Sequence, residues 1–344
     1  MNKFFLFLTF LLSARCFAFE YPNFKESVWT ADELQFHTGE VLKKARVGYI
    51  TMGNPNNPAV LILHGTAGSA KGMLGKDFAE ALFLSGKPLD ANKYFIIIPD
   101  AIGVGRSSKP SDGLRTKFPQ YNYNDMVLAQ YRLVTEGLGV QHLKLVLGNS
   151  MGGMQTWIWG IQHPTFMDYL VPMASTPIAM SGRNWMMRRF ISESIRRDPT
   201  WNSGNYEEQP KSAQFVNAFY PLATSGGNQH LQFLAPNSER ADALVNERLN
   251  ASFTMDANDF LYQWESSRDF NPSADLEKIQ AKVLAINSED DERNPPELGL
   301  MQKELKRIKG AQLYLIPASN DTLGHSTTSQ SKWWVDKFSQ WFTD

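Results

Sequence analysis

The chain has 344 residues, of which 42% are hydrophobic and 12% aromatic, with 34 Lys and Arg against 35 Asp and Glu and a single Cys. The apolar content excludes an intrinsically disordered chain, and the single Cys excludes a disulfide-rich scaffold. A formal charge of −1 gives no electrostatic reason to expect a nucleic acid as partner.

The first 18 residues have the pattern of a cleavable secretory signal peptide. Lys3 provides a basic start, and residues 4–12 form a run that is apolar except for one Thr. This run is shorter than the roughly 20 residues of a membrane-spanning helix. We therefore expect cleavage after Ala18, export to the periplasm or the medium, and no stable membrane insertion afterwards; an uncleaved anchor is the alternative. Cleavage would remove the only Cys, so the sequence predicts no thiol nucleophile, no Cys zinc site and no disulfide. No metal site is predicted elsewhere, with a cation site among the unused acids of residues 289–292 as the alternative.

After this segment, the sequence predicts a β-hairpin followed by alternating strands and helices. Val28–Phe36 and Val41–Thr51 are expected to pair as antiparallel strands around a turn at residues 37–39. Six short and largely apolar runs predict strands buried on both faces: Ala59–Leu63, Tyr94–Ile98, Leu143–Leu147, Tyr169–Met173, Lys282–Ile286 and Gln312–Ile316. Helical spacing occurs between them, at residues 124–138, 151–162 and 296–308. The alternation predicts an α/β fold with a mostly parallel central sheet flanked by helices.

One interval, residues 177–271, breaks this alternation. It contains no comparable strand but several amphipathic segments. Because one hydrophobic core usually holds at most roughly 250–300 residues, an inserted helical cap accounts for the surplus length. We therefore predict a core formed by residues 19–176 and 272–344, with a cap at 177–271. A second independent domain is the alternative, although the strand pattern resumes after the interval.

A candidate nucleophile lies where a buried strand meets a helix. Gly148, Ser150 and Gly152 form the pattern G-x-S-x-G, which is typical of a nucleophile elbow. The tight turn would expose the Ser150 hydroxyl, and the helix that follows would direct its amide groups towards a developing oxyanion. The alternative is a chance match to a short pattern.

A serine hydroxyl is a poor nucleophile without a base and a group that orients this base. His325 follows the last predicted strand, where such folds keep the base, whereas His64 is expected to brace a loop. The acid is expected in the loop after the strand at 282–286. We prefer Asp291, which lies four residues before Pro295, in this role, with Asp290 as the alternative. The order Ser150, Asp291, His325 is that of an α/β-hydrolase.

The oxyanion requires two N–H donors, for which we predict the amides of Met151 and Thr66, with Gly65 allowing a tight turn before Thr66. The predicted substrate-binding residues are Gly65, Met154, Met180, Trp185 and Trp264, although the large side chains among them could equally be ordinary core. The Gly103–Ser108 segment lacks the third glycine of a dinucleotide fingerprint, and no GKS/T phosphate loop occurs. No cofactor is therefore expected.

Together these motifs resemble the α/β-hydrolase superfamily and, within it, the homoserine O-acetyltransferase-like branch. The resemblance runs from about residue 41 to the C-terminus and is most specific at 124–130, 147–155 and 197–206. It implies an α/β-hydrolase fold, a triad of Ser150, Asp291 and His325, and a homodimer.

Two departures from those transferases lie beside the predicted site. Their acid loop usually reads Ser-Asp-x-Leu-Phe-Pro, whereas residues 290–295 read Asp-Asp-Glu-Arg-Asn-Pro. Their histidine is usually followed by Asp, whereas Ser326 follows His325. Both departures bear on the recognition of homoserine and leave the predicted triad intact.

The sequence thus predicts an exported serine hydrolase that cleaves a small-molecule acyl ester through an acyl-Ser150 intermediate. Water is the expected acceptor, because export separates the protein from cytoplasmic acetyl-CoA. One alternative is an O-acyltransferase that moves an acyl group from a thioester to an alcohol. Another is a non-catalytic ligand-binding protein of the same fold.

Overall fold

The computed structural model describes residues 23–342, so the predicted signal peptide at 1–18 lies outside the described residues. One eight-stranded sheet organises this part of the chain, in the order β1-β2-β4-β3-β5-β6-β7-β8. The strands are β1 (Phe24–Gln35), β2 (Val41–Met52), β3 (Ala59–Leu63), β4 (Phe95–Pro99), β5 (Leu143–Asn149), β6 (Met167–Met173), β7 (Lys282–Ser288) and β8 (Gln312–Ile316).

The first two strand pairs in the sheet order are antiparallel, and all later pairs are parallel. The β1–β2 hairpin closes at the predicted turn, where the amide of Phe36 donates to the carbonyl oxygen of Glu40 at 2.9 Å. The prediction of a mostly parallel α/β sheet is confirmed. The predicted bounds of β3 and β8 match the structure, and the other strands differ from theirs by a few residues.

Ten α-helices accompany the sheet within the described residues. They are α1 (Lys76–Phe83), α2 (Tyr123–Arg132), α3 (Met151–Gln162), α4 (Gly182–Arg196), α5 (Lys211–Thr224), α6 (Asn228–Leu234), α7 (Ser238–Asn250), α8 (Ala257–Glu265), α9 (Leu300–Leu305) and α10 (Val335–Trp341). The helix predicted at 296–308 is shorter, because Gly299 adopts a left-handed conformation with φ 64° between a 3₁₀ turn at Pro296–Leu298 and α9. The helix predicted at 124–138 consists of α2, which ends at Arg132, and a π-helical turn that continues from Leu133 to Gly137.

The sheet has apolar layers on both faces, as expected for strands that are buried on both sides. In β3, Leu61 and Leu63 belong to one layer, and Val60 and Ile62 belong to the other. The helix α3 lies in the first layer, where Trp157 and Trp159 are fully buried. This packing fixes the start of α3 at the carboxyl end of β5.

Between β6 and β7 the described chain forms α4 to α8 and no strand. Of these helices, α4, α5 and α8 share a third apolar cluster, which includes Ile195, Tyr220 and Trp264. They are attached to the sheet domain through α8, where Asp259 accepts hydrogen bonds from the amide and hydroxyl of Ser111 at 2.8 and 2.6 Å. The interval predicted as a cap is therefore helical. Its exact domain boundaries stay a prediction.

No helix within residues 23–342 has the length and apolar character needed to cross a membrane.

Candidate active site

Ser150 lies in the one-residue turn between β5 and α3. Its backbone has φ 55° and ψ −113°, a strained conformation for a residue with a side chain. The neighbouring glycines leave no room for a Cβ atom: one would lie 2.1 Å from the carbonyl oxygen of Gly152 if added at Gly148, and 2.2 Å from that of Leu63 if added at Gly152. The predicted elbow geometry is therefore present, and each glycine is required by a close backbone approach.

The structure brings three distant side chains together at this turn. His325 lies in a 3₁₀ segment after β8, and its Nε2 atom is 2.8 Å from the Ser150 Oγ atom. On the other side of the ring, Nδ1 lies 2.9 and 3.0 Å from the two carboxylate oxygens of Asp291. Since carboxylate oxygens only accept, Nδ1 carries the proton and the Nε2 lone pair faces the hydroxyl.

The two candidate acids of the β7 loop have different partners. The Asp291 carboxylate meets His325 and also accepts from the amides of Arg293 and Asn294 and from the Asn294 side chain. The Asp290 carboxylate instead accepts from Ser288, from Thr322 at 2.7 Å and from the Gly324 amide at 3.3 Å. Asp290 thus holds the loop that carries His325, and Asp291 contacts the imidazole itself.

The electrostatic environment keeps this pair in complementary protonation states. Burial lowers the pKa of His325; Asp291 opposes this shift, and the positive charges of Arg293 and Arg188 add to it. Burial alone would raise the pKa of Asp291, but His325 and Asn294 outweigh it and hold this pKa below the ordinary value. At neutral pH the imidazole is therefore neutral, and the carboxylate is charged.

The residues predicted to bind an oxyanion lie around Ser150. Met151 is the first residue of α3, where backbone amides have no partner within the helix. A Cβ atom at Gly65 would lie 3.5 Å from the Ser150 Cβ atom, which places the loop containing Thr66 beside the nucleophile. His64 braces this loop: its Nε2 accepts from the Ala101 amide at 3.0 Å, so its Nδ1 donates to the Gly65 carbonyl at 2.8 Å.

Two cavities adjoin this arrangement, and Arg293 lines both of them. The smaller has a volume of about 170 Å³ and lies between the β3 loop and the cap helices, with Thr66, Tyr220 and Trp264 in its wall. The larger, of about 360 Å³, has Met154 and Met180 in its wall.

Of the predicted substrate-binding residues, Trp264 therefore lines the first cavity, whereas Met154 and Met180 line the second. Trp185 lines neither cavity and is placed instead against Arg268, whose guanidinium carbon lies 5.1 Å from its ring centroid. Their roles in binding stay predictions.

Two arginines near the site are not predicted from the sequence. Arg188 is 2% exposed on α4, and Arg293 lies in the acid loop next to Asp291. The departure of this loop from the transferase pattern was a signal for Arg293. No comparable signal marked Arg188, which is one of several arginines on α4. Within residues 23–342, no group of three or more His, Cys, Asp or Glu side chains could hold a metal ion.

Comparison with known proteins agrees with this architecture. The profile of the alpha/beta hydrolase fold matches residues 58–323. The homoserine O-acetyltransferase of Trichormus variabilis is 30% identical over 75% of this chain and 78% of its own length. Two solved structures share the fold. A homoserine O-acetyltransferase from Bacillus anthracis has a TM-score of 0.81 and 21% identity, over 93% of this chain and 98% of its own. Esterase E22 has a TM-score of 0.80 and 20% identity, over 93% of this chain and 100% of its own.

Proposed function

The chain belongs to the alpha/beta hydrolase fold family and is a homoserine O-acetyltransferase-like enzyme, a hydrolase or acyltransferase, and on that premise we propose that it is an exported serine esterase that cleaves small acyl esters. Ser150 is the proposed nucleophile, His325 the base and Asp291 the group that orients the base. The observation that carries the proposal is the 2.8 Å contact between His325 Nε2 and Ser150 Oγ, with Asp291 on the opposite ring nitrogen.

In the first half of the proposed reaction, Ser150 Oγ attacks the ester carbonyl carbon while His325 Nε2 takes the hydroxyl proton. The amides of Met151 and Thr66 stabilise the negative oxygen of the tetrahedral intermediate. His325 then gives its proton to the leaving alcohol, and an acyl-Ser150 ester remains. The charge of Asp291 stabilises the imidazolium that forms in this step.

In the second half, water attacks the acyl carbon and gives a proton to His325. This proton returns to Ser150 Oγ as the bond to the acyl group breaks, and a free acid is released. Water as the acceptor is supported by the departures of residues 290–295 and Ser326 from the transferase pattern. Export is supported by the pattern of residues 1–18, and cell fractionation together with N-terminal sequencing of the mature protein tests it.

The second candidate is transfer of the acyl group to an alcohol, which is favoured by the 30% identity to a homoserine O-acetyltransferase. A bound and oriented alcohol can outcompete water for the same acyl-Ser150 ester. The proposed homodimer would accompany either activity, and light scattering of the purified protein tests it.

The decisive experiment measures hydrolysis of 4-nitrophenyl acetate by the purified protein and its Ser150→Ala variant. We expect hydrolysis by the parent only, and labelling of Ser150 by a fluorophosphonate. Turnover that persists in a folded Ser150→Ala variant would contradict the mechanism. Addition of homoserine or another alcohol separates the two acceptors, since a transferase would yield the acylated alcohol in place of free acetate. Absence of both turnover and labelling in the folded parent would favour a ligand-binding role.

A further inference from the structure

The cavity of about 170 Å³ beside the loop that contains Thr66 has polar groups in its wall that have no partner within the described residues. Trp264 Nε1 and Thr66 Oγ1 are buried without a hydrogen bond, and both residues line this cavity. An indole N–H can only donate, and a hydroxyl can donate or accept. Because buried polar groups in folded proteins are nearly always hydrogen-bonded, this pair indicates a ligand that accepts hydrogen bonds.

The same cavity is lined by the Arg293 guanidinium, which the charge of Asp291 influences but which no carboxylate of the described residues contacts directly. The Arg293 guanidinium donates to the Thr224 hydroxyl at 3.0 Å and to the Ser225 hydroxyl at 3.5 Å, both of which are neutral. The neighbouring acids are engaged elsewhere, Asp291 with His325 and Glu292 in an ion pair with Arg183 at 2.8 Å. Arg293 forms no ion pair with any residue in the part of the chain that the structure describes.

A second cation increases the positive charge near this cavity. Arg188 is almost completely buried, and it also has only neutral partners, Asn184 at 2.9 Å and Ser267 at 3.1 Å. Its guanidinium carbon lies 5.0 Å from the centroid of the Trp264 ring. Buried charges are usually paired, because removing them from water is costly. A buried and unpaired Arg188 beside a half-buried Arg293 therefore indicates an anionic ligand.

The aromatic side chains between the two cations hold them in place. The Arg293 guanidinium carbon lies 4.3 Å from the Tyr220 ring centroid, and the Tyr220 and Trp264 rings are 4.6 Å apart in an edge-to-face arrangement. Stacking on a ring face restrains a guanidinium group without neutralising it. The site is therefore preorganised for an anion.

We propose that this cavity binds a carboxylate group of the substrate, with Arg293, Trp264 Nε1 and Thr66 Oγ1 as the donors. A carboxylate has about four lone-pair sites and can accept from all three. With a volume of about 170 Å³, the cavity is large enough to hold a carboxylate group. The inference rests on the proposed esterase function and names its substrate class, an acyl ester that carries a carboxylate.

The test compares two matched substrate pairs at constant ionic strength. For a carboxylate on the acyl side, the pair is 4-nitrophenyl hemisuccinate and 4-nitrophenyl methyl succinate. For a carboxylate on the alcohol side, it is O-acetylglycolate and O-acetylglycolamide. Spontaneous hydrolysis is subtracted in each case. We expect a higher kcat/KM for the charged member of at least one pair, and the pair that responds identifies the side.

The substitution Arg293→Gln should lower this charged-to-neutral ratio by about 10- to 100-fold, the range expected for losing a hydrogen bond to a charged group. Arg293→Lys should retain part of the preference, and Trp264→Phe, which removes the N–H but keeps a ring, should lower it several-fold. The matched control is Arg189→Gln on α4, because Arg189 is already paired with Glu193 and Glu265. This control should leave the ratio unchanged.

Equal kcat/KM values for charged and neutral members in both pairs, or a ratio unaffected by Arg293→Gln, would overturn the subsite. Ser150-dependent hydrolysis of the neutral esters would still leave the proposed function standing. A binding measurement makes the test independent of turnover: calorimetry should show that propionate binds more tightly than propionamide, and that Arg293→Gln abolishes the difference. Equal binding of the two compounds by the parent protein would refute the inference even if no ester is hydrolysed.

Discussion

Replacing Asp291 by Asn is the sharpest test of how the imidazole is held. In the parent, Asp291 Oδ1 accepts from the amides of Arg293 and Asn294, and Oδ2 accepts from the Asn294 side chain at 3.0 Å. An Asn at this position has a single acceptor oxygen, which the two backbone amides would retain. Its NH₂ group would then occupy the place of Oδ2, facing His325 Nδ1.

An NH₂ group can only donate, so at the position of Oδ2, 2.9 Å from Nδ1, it favours the tautomer in which His325 accepts at Nδ1 and carries its proton on Nε2. The retained oxygen, 3.0 Å from Nδ1, already accepts from the two backbone amides. The Nε2 atom 2.8 Å from Ser150 Oγ would then have no lone pair to receive the serine proton. The Asn294 NH₂ group, which donates to Oδ2 in the parent, would then face the new NH₂ group. The Asn294 side chain cannot flip to relieve this contact between two donors, because it donates to the Ala174 carbonyl and accepts from the Thr176 amide. An inverted tautomer of this kind lowers the turnover rate by about 10⁴-fold, or about 5 kcal/mol.

The assay measures the rate at which saturating 4-nitrophenyl acetate is hydrolysed, with circular dichroism and thermal melting to verify folding. The matched control is Asp290→Asn, because an Asn at this position can keep its oxygen towards Thr322 and Gly324 and donate to Ser288. We expect this control to lose less than about tenfold, an effect on loop position only. A folded Asp291→Asn variant within about tenfold of the parent, or an equally large loss in Asp290→Asn, would refute the assignment.

Three further predictions concern pH and packing. The acidic limb of the kcat/KM profile should lie below pH 6.5, because burial and the charge of Arg293 lower the pKa of His325. Arg293→Gln should move this limb to higher pH in rate profiles on a neutral ester. An unmoved limb would exclude an influence of Arg293 on the pKa of His325. Burial raises the pKa of Asp259 from 3.8 to about 6. The unfolded chain therefore loses the Asp259 proton at a lower pH than the folded protein does. The contribution of this group to the free energy of unfolding is fully present below pH 3.8 and should fall by up to roughly 3 kcal/mol as the pH rises to 6. Urea unfolding at both pH values should show a smaller fall in Asp259→Asn, and equal falls would contradict the shift. Finally, Gly148→Ala should lower the free energy of unfolding by about 1–3 kcal/mol, measured by thermal melting, and reduce fluorophosphonate labelling. The reason is that the added Cβ would lie 2.1 Å from the Gly152 carbonyl oxygen. A variant as stable as the parent would contradict the elbow geometry.

The sequence was sufficient for features that depend on neighbours along the chain. The five apolar residues of β3 and the five residues of β8 have the bounds that their pattern predicts. The turn at Ser150 is predictable because two glycines flank it, and a strand and a helix of strong local character meet there. The parallel character of the sheet also follows, since parallel strands require helical crossovers.

The acid loop shows where local reasoning becomes insufficient. Asp290 and Asp291 are adjacent and chemically identical, and the preference for Asp291 came only from its spacing to Pro295. Three-dimensional contacts distinguish them, because the loop carrying His325, 34 residues away from Asp291 along the chain, brings Thr322 to one carboxylate and the imidazole to the other.

The pairing of charges depended entirely on the tertiary structure. Arg188 and Arg293 stand on different elements and look like ordinary surface arginines in the sequence, yet Arg188 is buried and neither has a carboxylate partner among residues 23–342. Conversely, Trp185 was expected in the binding pocket and lies outside both cavities. Propensity and turn chemistry act over a few neighbouring residues, so the sequence determines strands, helices and the serine turn. Whether a charge is neutralised depends on which distant elements meet around it, and only the packed chain decides that.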